Sequence, residues 1–248
     1  MFPAASPVPP TLAELRCLIG QGAGTVESRV TLPFGVTAID RALPGGGLAL
    51  GAVHQICESG PRAGYAAMAM LFAGGILART RGPVLWCLHS RDLFAPALSR
   101  VGLHPDRVIY CETWKDAEIL PAMEEGLRHR GLAGVVGELT RLTLTPSRRL
   151  QLAAEASGVT ALVVSRAGTD EPEANAAFAR WGLSAAPSGR DDALVMGRPR
   201  WRVELRRCRG AVPNTWIVEA CDAQGRIALP AGLGDRPHAQ DEPRRATP

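Results

Sequence analysis

Residues 35–71 read GVTAIDRALPGGGLALGAVHQICESGPRAGYAAMAML, and this stretch decides the fold. Its first part predicts a short helix carrying Ile39 and Asp40, a glycine-rich turn at 45–47 and a further turn at Gly51. A strand, a loop containing Gly and Pro, and a long helix follow. In such a unit, backbone N–H groups and the helix N-terminus can hold a phosphate group. The stretch is therefore where a phosphate-binding loop is expected.

The rest of the chain alternates β-branched apolar runs with helical patterns, which predicts βαβ units and a sheet with a parallel core. The predicted strands are Ala52–Cys57, Val84–Leu88, Val108–Cys111, Gly134–Val136 and Thr160–Val164. The predicted helices are Tyr65–Ala78, Leu93–Val101, Lys115–Arg130 and Ser147–Ala156. Further on, Arg200–Cys208 and Trp216–Cys221 alternate apolar and polar residues and predict an appended antiparallel hairpin. The expected fold class is α/β, with helices on both faces of a mostly parallel sheet.

The two ends of the chain differ from this core. Residues 1–10 carry four prolines and are expected to form a disordered leader. Residues 11–30 comprise a short amphipathic helix, Thr11–Ile19, and a linker. The single predicted domain spans residues 31–233, and the polar residues 234–248 are expected to form a disordered tail.

Composition indicates an ordinary globular protein without a metal or cofactor. Of the 248 residues, 46% are hydrophobic and 21% charged, and the net charge of +4 is mild. Arginine is abundant and Lys115 is the only lysine, which indicates either a GC-rich genome or an arginine-lined surface for phosphates. The six cysteines lack the spacing of a zinc site or a disulfide framework. With no secretory leader and no apolar run of about 18 residues, a cytoplasmic protein without a membrane partner is expected.

The layout of residues 35–71 resembles the RecA family of recombinase ATPases. The matching residues are Gly35, Asp40, Leu43, the glycine cluster and Gly51. The resemblance covers roughly residues 35–221 and implies a RecA-like sheet of the P-loop NTPase type. It leaves no residues for that family's separate C-terminal domain.

The nucleotide loop departs from the pattern of a working enzyme. That pattern is G-x-x-x-x-G-K-[ST], in which the lysine binds the outer phosphates and the hydroxyl binds Mg²⁺. The residues at this place supply neither group at the required positions: they are Ser59, Gly60, Gly64, Tyr65 and Ala66. Glu58 would in addition put a negative charge beside the expected phosphates.

Two further positions depart from the family pattern. Arg91 stands where the water-activating glutamate is expected, with Asp92 next to it as a slipped alternative. Gly137 stands at the Walker B aspartate position, unless Glu138 substitutes from one residue later. With three sites altered, we expect no hydrolysis and no catalytic residue.

Segment 202–209, RVELRRCR, resembles the RecA strand whose basic residues reach a nucleotide bound by the neighbouring subunit. Arg207 and Arg209 match those basic residues, and the alternative is a solvated or interface-facing arginine row on an edge strand. The RecA loops that grip single-stranded DNA are mostly absent, with only Ala167–Asn175 in the place of the second. Direct DNA binding is therefore not favoured.

Among RecA relatives the chain looks like the ImuA group of bacterial damage-inducible mutagenesis proteins. The features are the unconventional loop, the missing C-terminal domain, and the tryptophan and arginine block of residues 199–219. The resemblance implies a role in SOS-induced, error-prone translesion synthesis. The implied partners are a Y-family-like protein called ImuB and an alternative catalytic subunit of the replicative polymerase. A RecA-like surface that is kept after the chemistry is lost could also pair with RecA.

Tryptophan and arginine are over-represented among interface hot spots, so the same block supplies the candidate partner-binding residues. They are Trp201, Arg202, Arg206, Arg207, Arg209 and Trp216. For each tryptophan the alternative is core packing beneath the hairpin. Two other functions stay open: a weak ATPase that uses Glu138 and arginines in trans, and a cell-division inhibitor resembling the SulA group.

Overall fold

The structure is a computed structural model that describes residues 29–60, 66–89, 93–166, 174–187 and 197–230. Its helices are α1 (Thr37–Asp40), α2 (Ala67–Ala78), α3 (Ala95–Arg100), α4 (Asp116–Leu127) and α5 (Leu144–Ser157), with 3-10 turns at Pro44–Gly46 and Pro105–Arg107. Its strands are β1 (Thr31–Leu32), β2 (Leu48–Ala49), β3 (Val53–Glu58), β4 (Val84–Leu88), β5 (Val108–Glu112), β6 (Gly134–Leu139), β7 (Thr160–Ser165), β8 (Ala179–Ala186), β9 (Arg200–Cys208) and β10 (Asn214–Glu219). The predicted helix Thr11–Ile19, the leader and the tail lie outside the described residues.

The main sheet has eight strands in the order β10-β9-β8-β3-β7-β6-β4-β5. Strands β8, β3, β7, β6, β4 and β5 run parallel, whereas β9 and β10 are antiparallel to their neighbours. The expected α/β class with a C-terminal hairpin is confirmed. Strand β8 was not predicted, because its sequence ARWGLSAA offers mostly small residues and little β-branched character.

Helices cover both faces of the parallel strands. On one face α2 and α3 pack with Phe34, Trp181 and Trp201 in one apolar cluster. On the other face α4 and α5 form a second cluster with the alternate residues of the same strands. Because β3 lies inside the sheet and both its faces are covered, its residues are nearly all buried. No helix among the described residues has the length and apolar character needed to span a membrane.

Helix α2 is buried on more than one side, which explains why its sequence AMAMLFAGGILA lacks a polar face. Gly75 faces the segment after β10, and a Cβ built there would lie 2.5 Å from the Cys221 Sγ. Only a glycine allows this close approach. The segment at 221–227 therefore closes over the side of α2 that faces away from the sheet.

Two local features explain the sequence signals at turns. The Asp40 carboxylate accepts hydrogen bonds from the Phe34 and Gly35 amides at 2.7 and 3.0 Å, and Gly35 has a φ of 80°. Gly158 ends α5 with a left-handed φ of 81°, a conformation that glycine adopts readily, and this end lies close to the predicted one at Ala156. Helix α5 begins at Leu144, earlier than predicted, because Pro146 is tolerated within a first helical turn.

Candidate functional site

The candidate site lies where β3, β6 and β7 end at the carboxyl edge of the sheet. In open α/β sheets this edge carries the ligand crevices. Strand β3 ends at Glu58 and the chain continues towards α2, which begins at Ala67. Gly64 and Tyr65 of the predicted nucleotide loop, and Arg91 and Asp92 after β4, lie outside the described residues.

A carboxylate of the chain itself occupies the N-terminus of α2. Glu58 is 4% exposed, and its Oε2 accepts hydrogen bonds from the Met68 and Ala69 amides at 2.7 and 3.2 Å. Burial raises the pKa of Glu58 above its ordinary value, and the two amide hydrogen bonds oppose that rise. Ala66, directly before the helix, has a left-handed φ of 49°. The first amides of α2 therefore already have an acidic partner.

Strands β8 and β9 hold the beginning of the loop. The Ser59 amide donates to the Leu183 carbonyl at 2.7 Å, so the β3 to β8 pairing continues past Glu58. Arg206 donates to the Ser59 Oγ at 2.8 Å and, through its Nε, to the Glu204 carboxylate at 3.0 Å. The structure thus joins Ser59, a predicted loop residue, to Arg206, a predicted partner-binding residue.

Glu138, at the predicted Walker B position, is 1% exposed on β6. Its Oε1 accepts a hydrogen bond from the Trp86 indole at 2.8 Å, and its Oε2 forms an ion pair with Arg166, which follows β7. Strands β4, β6 and β7 are consecutive in the sheet, which explains how these three residues meet. The carboxylate is tied to its own chain on both oxygens.

Gly137 has a packing reason to be glycine. A Cβ built on it would lie 2.1 Å from the Met123 Sδ of α4, which rests on this part of β6. Gly137 and Glu138 point to opposite faces of the sheet, because neighbouring strand residues alternate. An aspartate at position 137 would therefore point into the α4 core instead of towards the end of α2.

A buried polar network that the sequence pattern did not predict links β3, β7 and the segment at β8. The Gln55 side chain donates to the Ser165 Oγ at 2.8 Å and accepts from Asn175 and Arg180 at 2.7 and 2.8 Å. A glutamine in an otherwise apolar central strand was the available signal, since buried polar groups require partners. Its partners come from distant parts of the chain and could not be named from spacing.

Arg207 of β9 and Arg209, which directly follows β9, hold the segment just before β8. Arg207 donates to the carbonyls of Asn175 and Ala177, the former at 3.1 Å. Arg209 donates to the Ala176 carbonyl at 2.8 Å, and its guanidinium lies 6.0 Å from the centroid of the Phe178 ring. Of the predicted loop Ala167–Asn175, only residues 174 and 175 are described.

The other partner-binding candidates divide into buried and exposed residues. Trp201 and Trp216 are 3% and 8% exposed, so both pack in the core beneath the hairpin. Arg202 is exposed and makes no hydrogen bond or ion pair with any residue that the structure describes. It lies on the face of β9 opposite Trp201 and Val203, away from the core.

Comparison with known proteins defines the class and then the family. The crystal structure of the RadB recombinase matches with a TM-score of 0.56 and 18% identity, over 80% of this chain and 99% of RadB, so the domain has a RecA-like fold. The chain is 39% identical over 215 residues to protein ImuA from two strains of Caulobacter vibrioides, NA1000 and ATCC 19089, a match that covers 81% of the chain and 88% of the ImuA sequence. The chain belongs to the ImuA family. No model of a protein family matches the sequence.

Proposed function

We propose that this chain is a non-catalytic RecA-like accessory protein in SOS-induced, error-prone translesion DNA synthesis. It acts through contacts with an ImuB-type protein, an alternative replicative-type polymerase and RecA. The observation that carries the loss of catalysis is the Glu58 carboxylate on the Met68 and Ala69 amides. Membership of the ImuA family supports the biological role and favours it over the SulA-like alternative.

The Glu58 contact opposes nucleotide binding for an electrostatic reason. The N-terminus of a helix attracts anions through its free amides and its dipole. Here a carboxylate occupies two of those amides, so a phosphate at this place would displace it or lie beside it. Like charges at close range in a partly buried site repel each other strongly.

A lysine is also missing where the phosphates would need one. Lys115 is the only lysine of the chain. It directly precedes α4, which packs on the face of the sheet opposite to α2. No other lysine is available to bind the outer phosphates.

The position of Glu138 supports the same conclusion for the metal. A Walker B carboxylate works by holding Mg²⁺ or its water ligands. Glu138 instead makes an ion pair with Arg166 and accepts a hydrogen bond from Trp86. A weak ATPase that uses Glu138 would first have to break both contacts.

The test is calorimetric titration of the full chain with Mg-ATP, with hydrolysis followed in the same sample. We expect neither binding heat nor turnover. Glu58 occupies the helix amides that would bind the phosphates, Lys115 is not placed to reach the outer phosphates, and Glu138 is already paired and does not hold Mg²⁺. Turnover that disappears in a Glu138→Gln variant would overturn the proposal and support the weak ATPase. Binding without turnover would contradict the electrostatic argument, and the Glu58→Gln variant shows whether that carboxylate limits affinity.

A further inference from the structure

Two cysteines stand side by side at the open edge of the sheet. Cys87 of β4 and Cys111 of β5 are direct partners in the parallel ladder. Residues paired in this way have Cα atoms about 4.8 Å apart, the spacing of neighbouring strands. Disulfides span Cα separations of about 4.4 to 6.8 Å. The backbone positions of Cys87 and Cys111 are therefore compatible with a disulfide.

The two side chains lie on the same face of the sheet at directly paired positions. Both pack with the apolar cluster beneath α4 and α5. Burial raises the pKa of Cys87 to about 12, and the neighbouring Cys111 adds to the rise. Cys87 is thus a protonated, buried thiol at neutral pH.

The partners differ in access to solvent. Cys87 is fully buried, whereas Cys111 is partly exposed. An oxidant from solution therefore meets Cys111 first, and Cys87 is positioned to react with the product. One accessible and one adjacent buried thiol are the two parts that a reversible thiol oxidation needs.

The place of β5 in the sheet allows the small movement that bond formation requires. Among the strands that the structure describes, β5 lies at the edge of the sheet and pairs with β4 alone. Its Ile109 and Tyr110 side chains are 53% and 37% exposed, so little packing opposes a slight shift towards β4. A central strand, paired on both sides, could not move in this way.

We propose that Cys87 and Cys111 form a reversible dithiol and disulfide pair that a peroxide oxidises. The Cys111 thiol releases its proton and its sulfur attacks one peroxide oxygen. The O–O bond breaks, a sulfenic acid forms on Cys111, and the departing hydroxide takes up the released proton and leaves as the first water. The Cys87 sulfur then attacks the Cys111 sulfur, the S–OH bond breaks, and the hydroxyl leaves as a second water with the Cys87 proton. The two thiols lose two electrons, and hydrogen peroxide is reduced to two molecules of water.

No other cysteine pair competes within the described part of the chain. Cys57 lies opposite Ser165 and Gly182 in the sheet, and Cys208 lies opposite Ala179. Cys221 follows β10 and faces Gly75 of α2. The register thus singles out Cys87 and Cys111 for the crosslink.

The test uses the full-length chain, hydrogen peroxide, alkylation of the remaining thiols under denaturing conditions, and tryptic peptide mapping. Cleavage at arginine and lysine places Cys87 in peptide 82–91 and Cys111 in peptide 108–115, each with a single cysteine. We expect these two peptides to appear linked, and the count of alkylated thiols to fall from six to four. Dithiothreitol should restore both peptides.

The matched controls are Cys111→Ser, which should abolish the link, and Cys208→Ser, which should leave it unchanged. The wild-type peptide map decides the question even where a variant folds poorly. The proposal is overturned if both peptides stay alkylated while other cysteines are oxidised. It is equally overturned if Cys111 proceeds to sulfinic acid with Cys87 still a free thiol.

Discussion

The carboxyl edge of the parallel strands and the outer face of β9 both carry charged side chains, acidic at the edge and basic on β9, but these side chains differ in what they bind. At the edge, Glu58 and Glu138 are buried and bonded to their own chain. At the hairpin, Arg207 of β9 and Arg209, which directly follows β9, hold a neighbouring segment, while Arg202 is exposed and has no partner among the described residues. The two buried carboxylates are thus bound from within, whereas Arg202 lies on an outer surface without a described partner. This difference is what the proposed function, a domain that acts through its contacts, predicts.

The largest effect is expected from restoring an aspartate at the Walker B position. In Gly137→Asp the new side chain meets Met123 of α4, because even a Cβ would lie 2.1 Å from the Met123 Sδ. Overpacking and an unpaired buried charge should together lower the free energy of unfolding by about 3 to 5 kcal/mol. Urea denaturation followed by circular dichroism measures this loss.

The matched control for that experiment is Gly131→Asp. Nothing lies within 4 Å of a Cβ at Gly131, so this change adds the same charge without the clash. It should change stability by less than about 0.5 kcal/mol. Equal losses in the two variants would show that Met123 does not exclude the aspartate, and the packing reason for Gly137 would be wrong.

The sequence predicted the elements better than it predicted their contacts. The bounds of β4 and β9 are as predicted, because strong apolar alternation or a continuous β-branched run is a local signal. Strand β8 was missed because Gly182 and several alanines weaken that signal, although Trp181 and Leu183 supply the buried face. Local pattern cannot tell that a weak strand is completed by its neighbours β3 and β9.

At the site, the sequence predicted which charged residues depart from the pattern of a working ATPase, but not which groups these residues bind. Glu58 was predicted to lie beside the phosphate position, and it lies at the N-terminus of α2. The ion pair of Glu138 with Arg166 could not be predicted, because it depends on β6 and β7 being neighbours with aligned ends. From the sequence, Trp201 and Trp216 could pack either in the core or at an interface. Both are buried, which places them in the core.

Changes at Glu58 should have a smaller effect on the free energy of unfolding. The pH dependence of that effect shows whether Glu58 caps α2 as a neutral carboxyl or as a charged carboxylate. Glu58→Ala leaves the Met68 and Ala69 amides without their acceptor and should cost about 1 kcal/mol. Glu58→Gln keeps an acceptor oxygen but cannot ionise. Because the folded-state pKa of Glu58 lies above its ordinary value of 4.5, the wild-type carboxyl stabilises the fold most below pH 4.5 and loses that contribution as the pH rises through the raised value.

The stability of the wild type relative to Glu58→Gln should therefore fall as the pH is raised from about 4 to 7. Urea titrations of both proteins at several pH values measure this difference. A difference that grows with pH would mean that the helix amides favour the carboxylate more than burial disfavours it. In that case the helix amides would hold Glu58 in its charged form, in the same way as they would hold a bound phosphate.

The smallest effect on stability and the clearest effect on binding are expected at Arg202. Arg202→Glu removes an exposed side chain without described partners, so the free energy of unfolding should change by less than about 0.5 kcal/mol. Arg207→Glu should cost more, about 1 kcal/mol, because two backbone carbonyls lose their donor. A stable Arg202→Glu protein that no longer captures the ImuB-type protein or RecA in a pulldown would locate the contact on the outer face of β9.

The control for charge alone is Arg148→Glu, on the exposed side of α5, where the arginine also has no partner among the described residues. It alters the net charge by the same amount, but on a helix instead of on the outer face of β9. If Arg148→Glu and Arg202→Glu weaken capture equally, the arginines act only through the overall positive charge, which should also vanish at high salt. If only Arg202→Glu does so, the contact is local, and the outer face of β9 is the binding surface that the proposed accessory function requires.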